Sequence, residues 1–154
     1  MFIGTEKGVN VYNAQKENFE RISAENDSRN LLGNLRIRCF CEDSKGYLWI
    51  GTLDGLIRFD RRNGLINFYK LNHYDRDKMH NEVRSLCEDS AGRLWIGTFD
   101  GLSIRDPRSG RFERYVHTSE PGSLSHNSIR SIFIDAQRGV WLGTYYGGVS
   151  YYHP

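Results

Sequence analysis

Every Gly-Thr pair in the 154-residue chain falls on one grid: Gly4-Thr5, Gly51-Thr52, Gly97-Thr98 and Gly143-Thr144, at steps of 47, 46 and 46 residues. A fixed period of this length restricts the chain to an array of similar units, each burying its apolar faces against its neighbours. The grid extends well beyond the Gly-Thr pairs. Trp49, Trp95 and Trp141 each stand two places before a Gly-Thr, and Phe2 holds that place in the first copy. Gly8, Gly55, Gly101 and Gly147 follow each Thr by three. Asp43, Asp89 and Asp135 precede each Trp by six, and Arg38, Arg84 and Arg130 precede each Asp by five.

Within one period the sequence reads as four short strands. The first, as in Ile129-Arg130-Ser131-Ile132-Phe133-Ile134, ends at an Asp that opens a turn such as Asp43-Ser44-Lys45-Gly46. The second carries Leu48-Trp49-Ile50-Gly51-Thr52, where Trp49 and Gly51 share a face and the glycine leaves room for an approaching sheet. Leu56 to Phe59 and Ile66 to Tyr69 supply the third and fourth, and a polar linker such as His117 to Asn127 leads to the next unit. Four antiparallel strands at a period in the mid-forties mark a β-propeller blade. The reading is therefore all-β: a partial β-propeller filling residues 1–154, with about four blades near 1–23, 35–71, 82–117 and 128–154. The first and last blades are incomplete at three strands each, giving fourteen strands, too few for a typical seven-bladed ring. The three Trp are expected at equivalent, largely buried places between blades.

Composition narrows the function classes. A formal net charge of +2 leaves no basic excess for a phosphate backbone, so nucleic acid is not an expected partner. No apolar run is long enough for a membrane helix, and Met1 to Thr5 do not read as a signal peptide. Cys39, Cys41 and Cys87 follow no ligand pattern and read as small apolar strand residues; no metal or cofactor is expected. His73, His80, His117, His126 and His153 fall mostly in linkers at no metal-ligand spacing. Asp43-Ser44-Lys45-Gly46 lacks the later oxygen donors of a calcium loop, and Gly51-Thr52-Leu53-Asp54-Gly55 lacks the Lys of a phosphate loop. No Ser, His and acid combination resembles a nucleophile elbow, so no catalytic residues are assigned.

The segment Asp-Ser-x-Gly-x-Leu-Trp-Ile-Gly-Thr-x-x-Gly-Leu, at Asp43 to Leu56 and again at Asp89 to Leu102, resembles the two-component regulator propeller repeat. The lead-in Gly122-Ser123-Leu124-Ser125-His126-Asn127-Ser128-Ile129-Arg130-Ser131-Ile132 does too, and the likeness covers nearly the whole chain in four copies. The resemblance implies the periplasmic sensor region of hybrid histidine kinases of Bacteroides-type bacteria, responding to carbohydrate breakdown products. Kinase, receiver and membrane helix are not in this sequence, so sensing or assembly is expected of it rather than phosphotransfer. Two departures stand out. Arg138 occupies the turn place of Gly46 and Gly92, and Tyr145-Tyr146-Gly147-Gly148-Val149 is one residue longer than its counterparts.

The loop after the second strand offers the candidate ligand surface: Asp54, Asp100, Tyr145 and Tyr146. Aromatic rings beside carboxylates suit a saccharide, whose C–H faces stack and whose hydroxyls need acceptors. The once-per-blade Arg38, Arg84 and Arg130 read first as structural, pairing with a neighbouring blade or capping carbonyls, and second as a ligand-binding ring. The leading function is a non-catalytic, carbohydrate-sensing propeller segment. Its alternatives are a protein-interaction scaffold and, further off, a propeller enzyme such as a lyase. Incomplete end blades also lead to an expected homodimer.

Overall fold

The computed structural model describes residues 1–71 and 81–153. Among these residues, fourteen strands form four antiparallel sheets. The first blade holds β1 (Phe2–Thr5), β2 (Gly8–Asn13) and β3 (Asn18–Arg21). The second runs β4 (Ile37–Glu42), β5 (Tyr47–Thr52), β6 (Leu56–Asp60) and β7 (Leu65–Tyr69). The third runs β8 (Val83–Glu88), β9 (Leu94–Thr98), β10 (Gly101–Arg105) and β11 (Phe112–Tyr115). The fourth holds β12 (Ile129–Ile134), β13 (Val140–Thr144) and β14 (Val149–Tyr152). Each sheet is an up-and-down meander, and β4, β8 and β12, the first strands, approach one another across blades. The sheets thus fan out from their first strands, an arc of a propeller that does not close. His73 and His80 lie outside the described residues.

The recurring Asp explains how each blade starts. Asp43 Oδ1 accepts the backbone N–H of Lys45 and Tyr47, closing the turn, while Oδ2 accepts the indole N–H of Trp49 at 2.7 Å. Asp89 and Asp135 do the same for Trp95 and Trp141, both at 2.8 Å. One carboxylate therefore satisfies the turn and fixes the ring that packs beside it. At Asp89, burial raises the pKa, but the Trp95 indole and the backbone and guanidinium of Arg93 outweigh it and hold the carboxyl below its usual range. Arg138, in the turn place of two glycines, takes the same left-handed backbone: φ is 69° there, against 83° at Gly46 and 78° at Gly92.

Three apolar clusters fill the three spaces between blades. Val9 of the first blade joins Leu48, Ile50, Ile57, Phe59 and Ile66 of the second. Trp49 and Leu56 face Val83, Leu94 and Ile96. Trp95 and Leu102 face Ile129, Val140 and Leu142. Gly51 makes this approach feasible, because a Cβ there would lie 2.7 Å from Val83 Cγ1 and also collide with Cys39 Sγ. Cys39 and Cys41 line the same cluster, and burial lifts their thiols to about 12 and about 11. They stay protonated and pack as small apolar groups.

One sequence expectation fails here. Trp49 and Trp95 are each 2% exposed, but Trp141 is 42% exposed. Its indole still bonds Asp135, and its ring lies 4.4 Å from that of Tyr151. No further blade among the described residues covers it. Phe133, Trp141 and Tyr151 are paired across β12, β13 and β14, so the open face of the fourth blade presents a row of exposed rings.

The linkers also carry more than polar residues. Residues 24–34 contain a short helix, α1 (Leu31–Asn34), whose first N–H groups donate to Asp27 at 2.7 and 2.8 Å. This turn drives Leu32 fully into the first cluster. Asn26 then pins the linker to β7 by bonding both the carbonyl and the N–H of Ile66, at 2.7 and 2.9 Å.

Candidate ligand rim and its arginine ring

The loop joining second and third strands is held identically in three blades. Leu53, Phe99 and Tyr145 donate their N–H to the carbonyls of Arg36, Glu82 and Ser128, at 3.1, 3.2 and 3.0 Å. This places Asp54, Asp100 and the Tyr145-Tyr146 pair on equivalent loops of successive blades. In the second and third blades the Thr hydroxyl reaches the Gly carbonyl three residues on; in the fourth, Thr144 reaches Gly148, four residues on. The extra residue pushes the tyrosines outward, and both are exposed. Their rings meet edge-on at 4.2 Å, and Tyr146 also meets His126 at 6.1 Å. Asp100 binds the guanidinium of Arg114 on β11, toward the outer side of its blade. Among the described residues, direct ring or side-chain contact within the four candidates is confined to Tyr145 and Tyr146.

Closer to the inner strands, the structure assembles a feature that the sequence marked only by spacing. The pairing of β4 with β5 slips between Ile37 and Cys39, that of β8 with β9 between Val83 and Ser85, and that of β12 with β13 between Ile129 and Ser131. Each irregularity is centred on the repeated arginine. A bulge turns one side chain away from the alternation of its strand, and these three aim Arg38, Arg84 and Arg130 at one cavity of about 220 Å³, which they line together with Glu82.

The arginines are anchored in a staircase. Arg38 Nε donates to Glu82 of the next blade at 3.0 Å, and Arg84 donates to Ser128 Oγ of the next blade at 3.4 Å and to Glu82 at 3.0 Å. Two of the three thus do pair with a neighbouring blade. Arg84 stacks over Phe99 at 5.0 Å and Arg130 over Tyr145 at 4.4 Å. Glu82 is buried and serves two guanidiniums at once. Sequence reasoning missed it because Arg36 and Ser128 hold its place in the other copies, so no periodicity marks it. Its partners Arg38 and Arg84, 44 and 2 residues away, were the signal available.

Among the described residues no group of His, Cys, Asp and Glu is arranged to hold a metal, and no helix is long and apolar enough to cross a membrane. The site is therefore one of guanidiniums, a single carboxylate and aromatic rings, suited to binding by charge, hydrogen bonding and stacking.

Comparison with known proteins agrees with this architecture. The profile of the two-component regulator propeller family matches residues 30–54, 77–100 and 123–146. No curated protein matches the chain significantly. Among solved structures, the extracellular domain of BT4673 from B. thetaiotaomicron, described as a hybrid two-component system, superposes with a TM-score of 0.79 at 29% identity. That match covers 97% of this chain and 19% of the other. The extracellular domain of BT3049 from the same organism, described likewise, gives a TM-score of 0.76 at 28% identity, covering 97% of this chain and 18% of the other. The WD40 propeller domain of Doa1, at 12% identity and a TM-score of 0.69, over 97% of this chain and 45% of the other, shows the fold alone. This chain therefore spans about one fifth of the extracellular domains it matches. Residues 30–54, 77–100 and 123–146, which open the second, third and fourth blades of the arc, thus match two-component regulator propeller repeats.

Proposed function

We propose that the chain is a non-catalytic, ligand-sensing propeller segment and that its ligand is a saccharide bound on the rim carrying Arg38, Arg84, Arg130 and Tyr145-Tyr146. The observation that supports it is the β-bulge repeated at each arginine, which aims three side chains into one cavity beside stacked aromatic rings. Bulges that redirect side chains are characteristic of binding surfaces. Asp54 and Asp100, one loop position away, would accept sugar hydroxyls. The likeness to extracellular domains of two-component systems supports a sensing role and a location outside the cytoplasm, in the periplasm. It also favours binding over catalysis. Titrating a panel of oligosaccharides while following thermal unfolding tests this reading. A ligand that raises the melting temperature and loses that effect in Tyr145→Ala supports it. A panel without effect, or an effect untouched by changes along this rim, refutes it.

A scaffold role is the second reading, favoured by the exposed row Phe133, Trp141 and Tyr151 on the fourth blade. Such a contiguous apolar patch suits another protein surface better than a sugar.

A further inference from the structure

We infer that the arginine cavity is a binding site for an oxyanion, the carboxylate or sulfate group of an acidic saccharide; this rests on the saccharide reading above and names the chemistry of the ligand. Three guanidiniums and one carboxylate line the cavity, leaving two positive charges in excess. Glu82 is already divided between Arg38 and Arg84. Arg130 makes no ion pair among the described residues; its guanidinium lies over the Tyr145 ring, and the residue is exposed. Arg84 Nε is buried without a hydrogen-bond partner among the described residues, so the donors of this guanidinium are not all satisfied by the protein.

The geometry suits an oxyanion more than a hydroxyl. Guanidinium forks match the two oxygens of a carboxylate or sulfate, and each fork here is held by a bulge, a stacked ring or a buried carboxylate before any ligand arrives. Preorganised donors bind with less loss of side-chain freedom. Arg130 covers a face of the Tyr145 ring, and the exposed Tyr146, edge-on to Tyr145, leaves aromatic surface near the charge for the ring of an attached sugar.

The test follows arginine Nε–H resonances of the 154-residue chain in nitrogen-15 spectra at constant ionic strength. The probes are glucose, glucuronate, glucose 6-sulfate, inorganic sulfate and chloride. Saturable shifts with glucuronate or glucose 6-sulfate, absent with glucose and chloride, are expected. Arg130→Gln, at an exposed position, should weaken binding at least fivefold while amide dispersion stays intact, and Arg130→Lys should recover part of it. Binding of inorganic sulfate alone would uphold the oxyanion site and remove the saccharide reading. Binding of a neutral sugar unaffected by Arg130→Gln would overturn the oxyanion inference and leave the saccharide reading standing. Absence of saturable shifts with every anion would overturn the inference outright.

Discussion

Replacing Trp95 and Trp141 separately by Ala sets one sequence context against two environments. Both rings stand two residues before a Gly-Thr and donate an indole N–H to an Asp six residues back, at 2.8 Å. Trp95 is 2% exposed, packed on Ile129, Val140 and Leu142 of the next blade, whereas Trp141 is 42% exposed. A fully buried Trp removes about 150–250 Å² from water, an upper bound near 4–6 kcal/mol at about 25 cal/mol per Å². Measured Trp-to-Ala losses in cores run about 3–5 kcal/mol, which is the expectation for Trp95→Ala. The Asp89 carboxylate does not add to it, because Arg93 Nε still donates to Oδ2 at 2.7 Å. For Trp141 the transfer contribution scales down and no closed cavity forms, so about 1–2 kcal/mol is expected. Guanidinium unfolding followed by far-ultraviolet circular dichroism measures both. In melting temperature, the Trp95 change corresponds to a drop of about 6–20 °C. Equal losses from the two variants would refute the claim that the neighbouring blade, rather than the repeat itself, makes the Trp essential.

Arg138→Gly should stabilise the fold by about 1 kcal/mol, since Arg138 sits at φ 69° in a turn where the other copies use glycine; denaturant midpoints check this. Asp89 has a folded pKa below its unfolded value, so its stabilisation is present above about pH 4 and is lost as pH falls through the folded pKa. The stability gap between the protein and Asp89→Asn should therefore close on acidification, and a gap constant from pH 7 to pH 2.5 would contradict the assigned hydrogen bonds. We also propose that the chain forms a homodimer that covers the exposed Phe133, Trp141 and Tyr151 row. Sedimentation at low micromolar concentration should show a dimer that Trp141→Glu dissociates, and a clean 17.9 kDa monomer would count against it.

The blades were legible in the sequence because the interactions that make them are local. An Asp that closes its own turn and holds the Trp six residues later, a Thr that bonds a carbonyl three residues on, and a glycine in a left-handed turn all act within one short segment. Repeating those residues repeats the strands, so fourteen strands and the incomplete end blades followed from spacing alone. Arg138 was readable as a departure for the same reason. Tertiary structure decided whatever depends on an adjoining blade. Trp141 has the local sequence context of Trp95, yet hydrophobic burial depends on what packs against the outer face, and that is set across 34 or more residues of chain. The arginines were visible as a spacing, but their direction depends on a bulge in the pairing of two strands, and their charge balance on Glu82, which occurs in one copy only. A period encodes what each unit does for itself; the rim and its charge arise only where unlike residues of successive units meet.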